Sequence, residues 1–298
     1  MDVTVVIRGT RERTEQVYAH WARQQAGDAP VHVIHETPFS AAVRKTYELG
    51  IQEGRKWTLA LDADILMFSG AMEALIAYAE AQPETGFEFQ GRILDKFFML
   101  PRDGGPHLYR TSLLPEALSL IPKEGSTLRP ESHVFGEMKA RGNTIHHNQE
   151  VFGIHDFEQY YEDIYRKAFL YAHKHTKRKE YFPAIWQELA AEDQDYEVAL
   201  WGLAAGQEHE GRVYVDYHFL IEEARAALAA KGLVEKGDYH LAEEPNPADV
   251  LWSHYQEGKR EHYYQKTFRK HGPSQKPQGI LPKGKYYARG ILNRLRGK

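Results

Sequence analysis

Residues 59–70 read LALDADILMFSG, an apolar run that carries two carboxylates, Asp62 and Asp64, one residue apart. A buried strand does not hold a free carboxylate unless a cation or hydrogen-bond donors compensate it. Either the strand ends at Leu61 and the acids are solvated, or the acids hold something. Upstream, VTVVIR (3–8) is a β-branched run that reads as a buried first strand, and VHVIHE (31–36) as a second. RERTEQVYAHWARQQ between them has helical periodicity, as does FSAAVRKTYELGIQEG (39–54), which Gly54 stops. KWTLALD (56–62) is then a third strand, SGAMEALIAYAEAQ (69–82) a helix ended by Pro83, and GFEFQGRI (86–93) a fourth strand.

Alternating strands and helices predict a parallel sheet with covering helices. Right-handed crossovers place the C-terminal ends of its strands on one edge, where ligands bind. Asp62 and Asp64 close the third strand and so lie on that edge. Beyond residue 94, KFFMLPRDGGPHLYR (96–110) reads as a hairpin about its DGG, and PESHVFGEMKARGN (130–143) as a short helix. After VFGIHD the chain is helical, in FEQYYEDIYRKAFLYAHKH, YFPAIWQELAAEDQDYEVALWGLAAGQ and HFLIEEARAALAAKG. HGPSQKPQGILPKGK (271–285) reads as a linker.

The 298 residues include no cysteine, so disulfides, thiol nucleophiles and cysteine-held zinc are excluded. A net charge of −4 argues against nucleic acid as a partner. The opening DVTVVIRG has no basic segment before an apolar core, and no apolar run is long enough to span a bilayer, so a cytoplasmic location is expected. From Lys259 onward the chain is strongly basic. This tail is either a solvated terminus or a contact with the anionic inner face of a membrane.

An Asp-x-Asp at a strand end suits Mg²⁺ or Mn²⁺, because carboxylate oxygens are the preferred ligands of such ions. Residues i and i+2 of an extended chain project the same way, so both acids can face one ion. VTVVIR, ELGIQEG, WTLALDADIL, GPHLYRTSLL, RPESHVFGEMKARGN and VFGIHD, taken in that order, resemble glycosyltransferases of the GT-A fold, closest to the family-2 type. The likeness covers about residues 3–156 and leaves the helical half unaccounted for.

This resemblance implies an α/β, GT-A-like fold, a Rossmann-like nucleotide-binding sheet with covering helices, followed by a mostly helical C-terminal extension. It implies a metal-dependent, inverting transfer of a sugar from a UDP- or GDP-linked donor to a hydroxyl of a glycan or lipid-linked acceptor, as in surface polysaccharide or glycolipid synthesis. Asp62 would contact the ribose or the metal, Asp64 would ligate the metal, and His155 would complete the metal site, with His146 and His147 as rivals. Glu131 would be the general base, although Ser132 follows it where the commoner motif has Glu-Asp. Arg8, Glu36 and Arg44 are candidate nucleotide-sugar contacts on the ligand edge and the following helix. The expected organisation is a catalytic domain over 1–155 (nucleotide-sugar half 1–94, acceptor half 95–155), a helical extension over 156–270 and a basic tail over 271–298.

Other readings remain. Haloacid dehalogenase-type phosphatases also carry Asp-x-Asp after an apolar strand, but continue with a hydroxyl-bearing step where Ile65 and Leu66 stand here. In sugar-nucleotide pyrophosphorylases a glycine-rich opening wraps phosphates, and IRGTRER keeps only Gly9. A non-catalytic sugar-nucleotide or glycan-binding scaffold is the third.

Overall fold

The structure, a computed structural model, describes residues 1–256 apart from 179, 217 and 240–244. The linker and basic tail expected from the sequence lie outside the described residues, as does the end of the extension. Strands and helices alternate as β1 (Val3–Arg8), α1 (Glu15–Ala26), β2 (Val31–Ile34), α2 (Phe39–Glu53), β3 (Trp57–Asp62), β4 (Ile65–Met67), α3 (Ala71–Glu80) and β5 (Gly86–Asp95). Next come β6 (Leu100–Asp103), β7 (His107–Arg110), α4 (Leu114–Ser119), α5 (Pro130–Ala140) and the long β8 (Thr144–His155). Helices follow: α6 (Tyr161–Lys174), α7 (Tyr181–Leu189), α8 (Gln194–Glu208), α9 (Ile221–Ala230) and α10 (Pro247–Gln256). This is the expected α/β architecture with a helical C-terminal part.

The strands join in the order β2-β1-β3-β7-β5-β8-β4, with β6 paired to β5 off that path. The sheet is mixed where the alternation predicted a parallel one: β2, β1 and β3 are mutually parallel, whereas β7 enters antiparallel between β3 and β5. Alternate residues of the parallel strands face opposite helical layers. Val3, Val5 and Ile7 of β1 share a core with Val17, Trp21 and Ala22 of α1, while Val6 packs with Leu49 of α2. Gly54, in the left-handed conformation, returns its amide to the Gly50 carbonyl and ends α2 where the sequence placed its stop.

The single hairpin expected over 96–110 does not form. β6 folds back on β5, and β7 instead joins the centre of the sheet. Leu108 and Tyr109 of β7 are fully buried there. Pro101, which cannot donate to a ladder, sits on the peripheral β6. The expected helix over 181–207 is two helices, because the Asp193 side chain accepts the Asp195 amide and starts α8 afresh.

The loop between β5 and β6 fastens the helices to the sheet. Phe97, Phe98, Met99 and Leu100 are buried among residues of α6, α7 and α8. Trp186 Nε1 donates to the Phe97 carbonyl and Tyr181 Oη to the Phe98 carbonyl, both at 2.8 Å. Lys96 Nζ pairs with Asp195 at 2.5 Å and Asp193 at 2.9 Å. These contacts set α6 against the C-terminal ends of the central strands.

Candidate functional site

At that edge lies a cleft of about 330 Å³, lined by residues of the β1, β2 and β3 ends, the start of α5, the end of β8 and one face of α6. Arg8 and Asp62 are register partners at the ends of β1 and β3. Arg8 is 4 % exposed; its Nε donates to Asp62 Oδ1 at 2.8 Å and its Nη1 to Glu131 Oε1 at 2.7 Å. Arg8 Nη2, equally enclosed, makes no hydrogen bond. Tyr109 Oη also donates to Glu131, and His107 Nε2 lies 3.5 Å from its other oxygen. Burial favours the neutral Glu131 carboxyl, but Arg8, the His107 imidazolium and the two hydrogen bonds outweigh it and hold it at about 2.

Asp64 points to different partners. Its Oδ2 is 2.5 Å from Lys167 Nζ on α6, and Lys167 lies 2.5 Å from Asp156 Oδ1 as well. His155, at the end of β8, is opposite Asp95 of β5 and Ile65 of β4 in the ladders. Its Nδ1 is 2.8 Å from Asp95 Oδ2, and its Nε2 is 3.6 Å from Asp64 Oδ1. Burial opposes charging of the imidazole, but Asp156, Asp64 and Asp95 prevail and raise it to about 10. Asp95 is fixed in turn by the Phe97 and Phe98 amides and by Arg102 Nε at 2.6 Å.

Asp64, His155 and Asp156 offer three ligand atoms within 4.8 Å of one another, a possible metal-binding group. Asp64 Oδ1, enclosed and without a hydrogen bond, would suit an ion. The remaining donors do not fit one as arranged: the position between Asp64 and Asp156 is filled by an ammonium. Asp62 stands outside this group, turned to Arg8, so the two acids of the opening motif do not converge as i and i+2 of one strand would. The strand ends at Asp62, and Asp64 belongs to the turn before β4.

Of the other residues singled out in the sequence, Glu36 lines the cleft, whereas Arg44 is exposed on α2 and does not. His146 stacks on Phe89 at a centroid distance of 5.2 Å, and neither it nor His147 lines the cleft. Sequence reading missed Glu12, Arg102, Arg129 and the α6 set Arg166, Lys167 and Lys174, all of which line it. Glu12, in the loop after β1, is pushed up to about 7, first by burial and then by Asp64 and Asp163. The α6 residues left one legible trace, since Lys167 and Lys174 are two helical turns apart and therefore share a face.

No family model matches the chain, and no curated protein does. Among solved structures, a mannosyltransferase from Pyrobaculum calidifontis, determined with GDP-mannose and Mn²⁺, is 14% identical over 100% of this chain and 88% of its own, at a TM-score of 0.41. A glycosyltransferase involved in glycosylation of the major capsid of PBCV-1 is 12% identical over 51% of this chain and 92% of its own, at 0.38. A cytidylyltransferase from Leptospira borgpetersenii is 9% identical over 51% of this chain and 77% of its own, at 0.35. These neighbours are glycosyltransferases and a nucleotidyltransferase, and at such scores they assign no activity to this chain. No helix among the described residues is long and apolar enough to cross a membrane.

Proposed function

We propose that the protein is a glycosyltransferase of the family-2 type that moves a sugar from a UDP- or GDP-linked donor to a hydroxyl of a glycan or lipid-linked acceptor. The observation that carries this reading is one cleft at the strand-end edge in which Arg8, Asp62, Asp64, Glu131 and the α6 cations meet. That edge is where sheets of this kind take nucleotides. In this reading residues 1–155 form the catalytic part, and the helical segment from 156 closes the diphosphate side of the cleft.

Cations beside the diphosphate would stabilise the charge that grows as the sugar–phosphate bond breaks and its electron pair passes to the leaving group. Glu131 is the proposed base: it takes the proton of the acceptor hydroxyl as that oxygen bonds to the anomeric carbon from the opposite face, which inverts the centre. Arg8 positions Glu131 and Asp62. A second reading keeps a divalent ion, Mn²⁺ or Mg²⁺, on Asp64, His155 and Asp156, favoured by the clustering of those three ligands. The basic tail would bring the enzyme to a membrane-borne acceptor.

The test is to incubate the protein with UDP- and GDP-sugars and follow phosphorus species by ³¹P NMR. Nucleoside diphosphate released by the wild type, and not by Asp64→Asn or Glu131→Gln, supports the proposal. Inorganic pyrophosphate formed from a nucleoside triphosphate and a sugar phosphate would make it a nucleotidyltransferase. Inorganic phosphate from a phosphomonoester would make it a phosphatase.

A further inference from the structure

We infer that α6 neutralises the donor's diphosphate, with Lys167 standing where a divalent ion would bridge Asp64 and Asp156 and with Lys174 and Arg129 beside the phosphates, so that donor binding needs no metal. The inference rests on the donor-site reading above and goes beyond it in naming what holds the diphosphate.

The first observation is the Lys167 geometry. Its Nζ is 2.5 Å from one oxygen of Asp64 and 2.5 Å from one of Asp156, and Asp156 is fully buried. A tethered ammonium supplies the compensation that buried carboxylates require, and it does so without an ion from solution. Lys167 arrives from a helix whose place is fixed beside the cleft by the packing of Phe97–Leu100 into α6–α8, with Phe98 against Tyr171 and His175.

The second observation is independent. Lys174, seven residues along the same helix, lines the same cleft, and its ammonium has no carboxylate or hydrogen-bond partner among the described residues. Its electrostatic neighbours are Arg129, Arg166, Arg102 and Lys167, and burial together with these like charges lowers it to about 7. Arg129, exposed, donates from Nη2 to the Lys174 carbonyl at 3.2 Å, which joins the segment before α5 to the end of α6. Cations are not gathered in a half-buried cleft without cost, and a bound polyanion removes that cost. Arg8 Nη2 adds an enclosed donor with no partner in the same cleft. Arg8, Arg102, Arg166 and Lys167 are paired with carboxylates, so the positive groups left for a diphosphate are Lys174 and Arg129, which have no carboxylate partner among the described residues.

The experiment measures binding of UDP and GDP to the full chain by calorimetry and by thermal shift, in EDTA and again with Mn²⁺, for wild type, Lys174→Ala and Lys167→Met. The expected result is that one nucleotide binds the wild type equally well in EDTA and in Mn²⁺. Lys174→Ala should weaken that binding about tenfold or more while raising the melting temperature of the free protein, because a charge-assisted contact is lost and a like-charge repulsion is relieved. A merely structural lysine would not move these two readouts in opposite directions. Lys167→Met should bind the nucleotide only with Mn²⁺, since Asp64 and Asp156 are then open to an ion; if that variant does not fold, Lys174→Ala decides. Wild-type binding that appears only with Mn²⁺ overturns the inference and leaves the donor site standing. Binding in EDTA that Lys174→Ala does not weaken overturns the role of α6. Absence of binding by either nucleotide in both conditions overturns the donor-site reading, and this inference with it.

Discussion

Arg8 and Glu131 are 123 positions apart in the chain and meet as a buried pair, Nη1 to Oε1 at 2.7 Å, at the floor of the cleft. Arg8 closes the first strand and Glu131 stands in the first turn of α5, so the pair ties β1 to the helix that carries the proposed base. Arg8 also holds Asp62, which makes it the cation for two carboxylates. Arg8→Met should therefore destabilise the fold by about 3–5 kcal/mol, because breaking a buried pair strands the partner charge. Urea unfolding of wild type and variant at neutral pH measures this. A loss well under 1 kcal/mol would show that Glu131 and Asp62 find solvent or other donors.

Glu131 also governs part of the acid limb of stability. Its folded value of about 2 lies below the ordinary 4.5, so between those values the unfolded chain binds more protons and stability rises with pH. The contribution is complete above the ordinary value and is lost as pH falls through about 2. Unfolding free energies measured from pH 6 down to pH 3 should fall less steeply for Glu131→Gln than for the wild type. Parallel slopes would place the acid sensitivity elsewhere.

The same ionisation shapes the rate profile. A base already ionised at about 2 gives no inflection between pH 5 and 8, so turnover of the donor should be flat there with respect to this group. Glu131→Gln should slow turnover by roughly 10²–10⁴-fold. An inflection near 7 that disappears in Glu12→Gln would instead transfer the role to Glu12, whose carboxyl is pushed up to about 7.

Gly202 of α8 lies against the backbone of α6. A Cβ at this position would stand 2.2 Å from the Tyr165 carbonyl oxygen of α6, against backbone that cannot swing aside. Gly202→Ala should cost about 1–3 kcal/mol through overpacking. It should also weaken nucleotide binding, because α6 must move and Lys167 and Lys174 move with it. Equilibrium unfolding and UDP or GDP titration test the two halves. A destabilised variant with unchanged nucleotide affinity would separate α6 from the site.

How much of this is legible in the sequence follows from the range of the interactions. The first three strands and the helices between them could be read because local signals agree. β-branched runs alternate with helical periodicity, Gly54 stops α2, and β1 and β3 are buried on both faces. The position of Asp62 and Asp64 at the strand-end edge followed from that alternation alone. The fate of 96–110 was not legible, since a hairpin and two separate pairings share the same local pattern. Only the competition for a central slot between β3 and β5 separates them.

The site divides in the same way. From sequence alone came the strand-end carboxylates, the acid at the start of α5 and the histidine before the helical half, each marked by its place in a local element. Tertiary structure alone decided which of them share partners: Asp62 goes to Arg8, whereas Asp64 goes to Lys167 and His155. Lys167 is 103 positions from Asp64, and nothing local to YRKAF distinguishes a lysine that faces a cleft from one that faces water. That lysine is aimed by Phe97–Leu100 buried in the helical core, a contact between segments whose separation in sequence hides it from any periodicity.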